Sequence, residues 1–285
     1  MATMFERFGL KRRALPDTSS VQIEVKLPTF FIIGANKAGT TSLYHYCRQH
    51  PEIFMSKNKE PMFFLTSGPP LIKKEEAAVG KPYLYFTLQE YMDLFASTNK
   101  PMRGEASTAY LAKPDATLWI KKIIPNAKLI AILRNPIERA KSDYLYHHNG
   151  NIDKRTFGRA IDDAFRQITD KKPDNGNPLM GPRYLNLGLY GSQLSVVKKY
   201  FPDDQLFIED YEELNKDSVE FMQRIYKFLG VKEYIPSDTR RLNISSGHAA
   251  LDINKALENK MKQYFEEDIG LLQSLVNFDV MKWLK

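Results

Sequence analysis

A chain of 285 residues, 43% of them apolar, is long for one small domain and short for two, so it reads as a single α/β domain with insertions. No apolar run reaches the roughly 18 residues of a membrane span, and the N-terminus lacks the apolar stretch of a secretory leader. The lone cysteine, Cys47, excludes an intrachain disulfide and points to a reducing compartment, the cytoplasm. A net charge of +7 favours anionic ligands, yet Lys and Arg alternate with Asp and Glu; with no zinc-ligand cluster, nucleic-acid motif or repeat, metal and nucleic acid are not expected.

We divide the chain into an N-terminal tail, 1–26, and one domain, 27–285. The tail mixes Arg7, Lys11, Arg12 and Arg13 with Met4, Phe5, Phe8 and Leu10, an amphipathic start that suits a frayed tail or a contact with a membrane or partner. The continuous apolar run Thr29–Ile33 predicts a buried parallel strand ending at Gly34, and a helix follows from about Thr41 to Gln49, stopped by His50-Pro51. Pro101–Glu105 reads as a strand, Pro114–Ile124 as a helix, and Lys128–Leu133 as the next buried strand. Asn135-Pro136 supplies a cap and first-turn proline for a helix through about His147, with Ile137, Ala140, Tyr144 and His147 on one face.

Lys171–Arg183, rich in Pro and Gly, reads as a loop; then come a helix at Ser192–Tyr200, a strand at Gln205–Glu209 and a helix at Ser218–Leu229. The stretch Leu65–Tyr85 has no clear pattern, whereas the C-terminal end reads as helical, docking Ile269, Leu271, Leu272, Leu275, Val276 and Trp283 on the core. Alternating strands and helices imply a parallel sheet covered on both faces.

Gly34-Ala35-Asn36-Lys37-Ala38-Gly39-Thr40-Thr41 lies between a predicted strand and a predicted helix, the setting of a phosphate cradle. First-turn N–H groups and the hydroxyls of Thr40, Thr41 and Ser42 can donate to a phosphate where the helix dipole also favours an anion. The Gly34-to-Gly39 spacing is that of a nucleoside triphosphatase loop, but Thr40 stands where the lysine would be, and the lysine sits earlier, at Lys37. An ordinary tight turn has the same pattern. The second strand end carries Arg134 and, two helical turns on, Ser142, which can close on one phosphate because strand C-termini line the crevice of such sheets; a capped helix with surface charges reads the same way.

These pieces, with HPEI at His50–Ile53, KEPMFF at Lys59–Phe64, GEASTAYL at Gly104–Leu111, KLIAILRNPIERAKSDY at Lys128–Tyr144 and the terminal DVMKWL, resemble the sulfotransferases that use 3′-phosphoadenosine 5′-phosphosulfate, particularly the heparan sulfate and bacterial carbohydrate branch. The likeness runs from about Thr29 to Leu284. It implies an α/β, three-layer P-loop-containing nucleotide hydrolase-like fold, a central parallel sheet flanked by helices. It also implies a metal-free transfer from that donor, leaving 3′-phosphoadenosine 5′-phosphate, to a hydroxyl of a glycan or glycolipid. Lys37, Ala38, Gly39, Thr40, Thr41 and Ser42 would hold the 5′-phosphosulfate, Arg134 and Ser142 the 3′-phosphate, and Lys37 the bridging oxygen. Glu60 would be the general base, although a carboxylate there also suits pairing with Lys59 or Lys57.

The sequence departs from heparan-modifying relatives in two places. They carry a lysine before the serine or proline of the GEAST-like segment, where this chain reads Glu105-Ala106-Ser107, and the basic residues of their late cofactor loop have no clear match in the stretch from Arg240-Arg241 to His248, where Arg241 or Arg240 would reach the nucleotide. A histidine assists in some relatives, which makes His147 a candidate in the acceptor cleft, although paired histidines at a helix end also suit capping. Tyr44, Tyr46, Phe63 and Phe64 suit either pocket wall or core, and His45 and His50 packing. The rival classes are a P-loop kinase or triphosphatase and a non-catalytic nucleotide- or glycan-binding protein. Oligomeric state is not readable from the sequence.

Overall fold

The computed structural model describes residues 26–65, 87–170, 182–242, 251 and 253–285. Residues 1–25 of the N-terminal tail, most of Leu65–Tyr85, most of the loop Lys171–Arg183, and Asn243–His248 lie outside the described residues.

Strands β1 (Phe30–Gly34), β2 (Ile53–Met55), β3 (Met102–Ala106), β4 (Lys128–Leu133) and β5 (Leu206–Asp210) form one sheet in the order β2-β3-β1-β4-β5. All neighbours run parallel, with Phe30 opposite Gly104 on one side and Lys128 on the other. β1 is buried at every position and β4 at all but its first, which is why both read as unbroken apolar runs: a strand covered on two faces has no polar side to alternate. β2 is three residues long, too short to show a period, and was not predicted. Gln205 belongs to a 3₁₀ turn before β5 and not to the strand.

The chain leaves β1 towards β2 on one side and later crosses from β3 over β1 to β4 and β5. Connections after β1 and β4 therefore diverge, which opens a crevice at their C-terminal ends, the place where sheets of this class bind ligands.

Ten helices surround the sheet among the described residues: α1 (Thr40–Gln49), α2 (Leu88–Asp93), α3 (Pro114–Ile123), α4 (Pro136–Asn149), α5 (Phe157–Asp170), α6 (Arg183–Asn186), α7 (Tyr190–Tyr200), α8 (Tyr211–Lys216), α9 (Ser218–Leu229) and α10 (Lys255–Gln273). This is the α/β architecture expected, a parallel sheet flanked by helices. Asn135 caps α4 as predicted, its side chain accepting from Ile137 N at 2.9 Å and Glu138 N at 3.3 Å. The predicted face of α4, Ile137, Ala140, Tyr144 and His147, is buried.

The C-terminal helix locks onto α7. Asp268 accepts from Gly191 N at 2.7 Å, Ser192 N at 2.8 Å and Ser192 Oγ at 2.6 Å, so a carboxylate from α10 caps the start of α7. A Cβ on Gly191 would stand 2.3 Å from the Asp268 carbonyl oxygen, so only glycine permits this approach. Ile269, Leu272 and Trp283 are buried as expected, and Leu275 and Val276 pack partly buried against the core. Leu271 is 41% exposed, against expectation: Met261, Phe265, Asp268, Ile269 and Leu272 draw the inward face, and Leu271 lies one step of about 100° away from Leu272.

Candidate active site

The loop after β1 turns through Lys37 at φ +66° and Gly39 at φ +76° before entering α1. Gly39 sits against α8: a Cβ there would lie 2.7 Å from a Tyr211 ring carbon and 2.9 Å from a Leu214 methyl. Position 39 thus combines a left-handed backbone with a close approach, and both call for glycine. Gly39 is also the N-cap of α1, and no side chain caps the helix. The first-turn amides of α1 and its dipole thereby form a site for an anion. Within the segment expected to hold the phosphosulfate, Ala38, Thr40 and Ser42 are buried and Thr41 is half-buried.

Arg134, just past β4, donates from Nη1 to the Lys37 carbonyl at 3.1 Å and lays its guanidinium 5.1 Å from the Tyr211 ring centroid. The two strand ends singled out in the sequence therefore meet at the crevice. Ser142 is buried two turns into α4.

The Lys37 ammonium stands 4.3 Å from the centroid of the Tyr146 ring, which is exposed. Burial lowers its proton affinity; Arg134, Lys59 and Arg139 push the same way, and Asp143 opposes them. No carboxylate pairs with it among the described residues. A half-buried cation beside an uncapped helix start fits an anionic group such as a phosphosulfate.

Behind Lys37, Asp143 is buried between Arg139, at 3.2 Å, and Arg183, at 3.1 Å. Burial would raise this carboxyl, but Arg183, Arg139 and His147 together hold it below its ordinary value. His147 is buried and turns Nδ1 to the Asp143 carbonyl at 2.7 Å. Burial lowers its proton affinity, and Asp143 pulls the other way. His148 is exposed and faces the Asp153 carbonyl at 2.9 Å. Of the residues at this helix end, it is Tyr146 that faces the Lys37 ammonium.

On the other side of β1, the segment after β3 folds over the strand end: Ser107 N donates to Ile32 O at 3.1 Å and Leu111 N to Ile33 O at 2.9 Å. This brings Thr108 to Glu60. Thr108 N donates to Glu60 Oε2 at 2.9 Å, Thr108 Oγ1 donates to Oε1 at 3.0 Å, and Lys59 Nζ donates to Oε1 at 2.8 Å. Asn36 Nδ2, in the phosphate loop, donates to Thr108 Oγ1 at 3.5 Å. Asn36 and Thr108 thus link the loop that carries Lys37 to the Glu60 carboxylate. Glu60 does pair with Lys59, as the plainer reading expected, and is one-fifth exposed while doing so.

A late segment runs along α1: Asp238 N donates to Gln49 Oε1 at 2.9 Å, Tyr46 OH to Thr239 O at 2.8 Å, and Leu242 N to Ser42 Oγ at 2.9 Å. Arg240 turns back onto Asp238 at 2.8 Å, whereas Arg241, beside Leu242, donates to Asn215 O at 3.0 Å. Arg241 is accordingly the nearer in sequence to the amide that meets Ser42. Tyr44, Tyr46, Phe63 and Phe64 belong to the core. His50 is buried with Nε2 against Lys232 O at 2.9 Å, and His45 faces Asp238 at 3.2 Å.

Thr108, Asn36, Tyr146, Asp143 and Arg183 were not singled out from the sequence. The i, i+4 spacing of Arg139, Asp143 and His147 was a readable sign of a charged helix face. The contacts of Asn36 and Thr108 join positions 72 apart and leave no local pattern. Among the described residues, no three His, Cys, Asp or Glu side chains cluster as metal ligands, and no helix is long and apolar enough to cross a membrane.

Residues 27–271 match the family described as the sulfotransferase domain. The chain is 30% identical over 211 residues to the bifunctional heparan sulfate N-deacetylase/N-sulfotransferase 3 of Homo sapiens, covering 72% of this chain and 22% of that protein. It is 27% identical over 250 residues to carbohydrate sulfotransferase 15 of Mus musculus, covering 72% of this chain and 44% of that protein. The chain thus spans less than half the length of these curated relatives. A crystal structure of a sulfotransferase from Alicyclobacillus acidocaldarius matches with a TM-score of 0.76 and 28% identity, covering 92% of this chain and 100% of that one.

Proposed function

The chain belongs to the sulfotransferase family, and from that premise we propose that it moves a sulfuryl group from 3′-phosphoadenosine 5′-phosphosulfate to a hydroxyl of a glycan or glycolipid, with Glu60 as general base. When bound, the donor supplies the sulfuryl group and a phosphate leaving group. Lys37, Ala38, Gly39, Thr40, Thr41 and Ser42 would hold its 5′ end, Arg134 and Ser142 its 3′-phosphate, and Arg241 would reach the nucleotide.

The observation that carries this reading is the path Asn36–Thr108–Glu60, which ties a carboxylate to the loop bearing a half-buried ammonium. An alcohol is a weak nucleophile until its proton is taken, and Glu60 would take it. Oε2 accepts from one protein donor and Oε1 from two, which makes Oε2 the atom with room for that proton. Lys37 would steady the negative charge that grows on the departing side, and the first-turn amides of α1 would do the same without reorganising. Tying Thr108 by both its amide and its hydroxyl fixes where Glu60 points, which supports in-line attack.

The printed names of the relatives, a heparan sulfate enzyme and a carbohydrate enzyme, support a glycan acceptor. A P-loop kinase would need a lysine at position 40 and an acidic magnesium ligand at a strand end, where this chain has Thr40 and Arg134. Labelled-sulfate transfer to a panel of desulfated glycans, glycolipids, phenols and simple alcohols tests the reading. Transfer to glycans or glycolipids is expected; binding of 3′-phosphoadenosine 5′-phosphate with no transfer to any of them would leave a binding protein instead. Calorimetry showing ATP with magnesium bound more tightly than that nucleotide would favour the kinase. We also propose a cytoplasmic setting from the single, buried Cys47; fractionation that finds the protein elsewhere would overturn it.

A further inference from the structure

Glu60 and Met62 both stand in the left-handed region, at φ +61° and +56°, on either side of Pro61. Side chains with a Cβ adopt this backbone only where neighbours enforce it. The enforcing contacts come from the segment at and after β3. Glu60 N donates to Ala106 O at 2.8 Å, and Met62 N donates to Ser107 Oγ at 3.0 Å. The Ser107 hydroxyl, having accepted from Met62, gives its proton to Glu105 Oε1 at 2.6 Å. One turn further, Phe64 N donates to the Tyr110 hydroxyl at 3.3 Å, and Tyr110 bonds to the same Glu105 carboxyl. Tyr91 donates its hydroxyl to Glu105 Oε2.

Glu105 and Ser107 are fully buried, so water cannot replace any of these partners. One buried carboxyl therefore orients three hydroxyls, and two of them, those of Ser107 and Tyr110, each receive a backbone amide from the Met62–Phe64 segment that follows Glu60. Thr108, next in the chain, is the residue of this segment that meets the Glu60 carboxylate.

We propose that Glu105 and Ser107 are positioning residues for sulfuryl transfer: the buried bond between them fixes the Met62 amide and hence the left-handed turn that aims the Glu60 carboxylate. The inference rests on the proposed role of Glu60. A base displaced by a fraction of an ångström loses rate without losing affinity for a nucleotide held on the opposite side of β1, because the reacting geometry is what the turn controls.

The test measures labelled-sulfate transfer to the best acceptor of the glycan and glycolipid panel, together with calorimetric binding of 3′-phosphoadenosine 5′-phosphate. Ser107→Ala is expected to lower kcat about tenfold or more while nucleotide affinity and the KM for the sulfate donor stay within about twofold. Ser107→Thr, which keeps the hydroxyl, is expected to recover most of kcat. Glu105→Gln keeps an acceptor oxygen for Ser107 and is expected to stay within about threefold of the wild type in kcat, as befits a hydrogen-bond role. Should Ser107→Ala not fold, Ser107→Cys, a weak donor and acceptor, carries the same expectation. An unchanged kcat in the Ala and Cys variants, nucleotide affinity falling in step with kcat, or a Thr variant no better than Ala would overturn the inference with the function intact. No transfer by the wild-type chain to any acceptor would overturn the functional reading and this inference with it.

Discussion

Burial disfavours the charged form on both sides of the β1 end, with different outcomes. On one side it weakens the hold of Lys37 on its proton; on the other it pushes the Glu105 carboxyl up to about 7. Glu105 is compensated within the protein by the hydroxyls of Ser107, Tyr91 and Tyr110. Lys37 has a ring face and a cationic neighbourhood, and no carboxylate partner among the described residues. A buried group whose partners are all supplied internally holds structure in place. A half-buried charge without an opposite partner suits a ligand that brings one. On the proposed function, the loop side would bind the ligand and the β3 side would support the base.

The largest expected effect lies where the two sides meet. Glu60→Gln should lower kcat by about 10²–10⁴-fold with nucleotide affinity nearly unchanged; a variant with normal turnover would remove the base from the mechanism. Lys37→Ala should lower kcat by about 10²–10³-fold, read in single-turnover transfer, because it removes charge stabilisation that grows during reaction. Arg134→Ala should weaken calorimetric binding of 3′-phosphoadenosine 5′-phosphate by about 10- to 100-fold, the range of a lost bond to a charged group, and should affect kcat at saturation less. If Arg134→Ala lowered kcat as much as Lys37→Ala and left affinity alone, the division between holding and reacting would fail.

A separate effect is on stability. The Glu105 carboxyl rises from 4.5 to about 7 on folding, so between those values the folded chain keeps a proton that the unfolded chain has released. Its contribution is full below the lower value and declines as pH rises through the upper one. Urea unfolding should therefore show the wild type losing ground to Glu105→Gln between about pH 4.5 and 7, by up to the order of 3 kcal/mol. A gap that does not change with pH would show that burial does not move this carboxyl.

The elements legible in sequence were those whose environment leaves a local trace. β1 and β4 read as strands because both faces are covered, and α4 because Asn135 and Pro136 announce its start. β2 left none, being three residues long. The helix α2 carries a capping box of Thr87 and Glu90 that could have been read, and α8 an Asp210 cap. Within the candidate site, Lys37 and Arg134 were visible because each stands beside a strand end, and Glu60 through the family resemblance of KEPMFF. Their partners were not: Asn36 with Thr108, Ser107 with Met62, and Ser42 with Leu242 are joined by the sheet order, which brings together residues 45 to 200 positions apart. A hydroxyl that serves a distant amide looks, in one dimension, like any other serine.

The seat of Asp268 on the start of α7 works as a key with one cut. The carboxylate meets Gly191 and Ser192, and no side chain fits between the helices at Gly191. One extra residue inside α10 ahead of Asp268 would swing the carboxylate by about 100° around the helix and bring a different residue against Gly191. The same insertion in the connection before Asn254 would leave the key in its slot. Length changes at this end of the chain should therefore be accepted in the connection and rejected within the helix, so that α10 counts residues where the preceding segment does not.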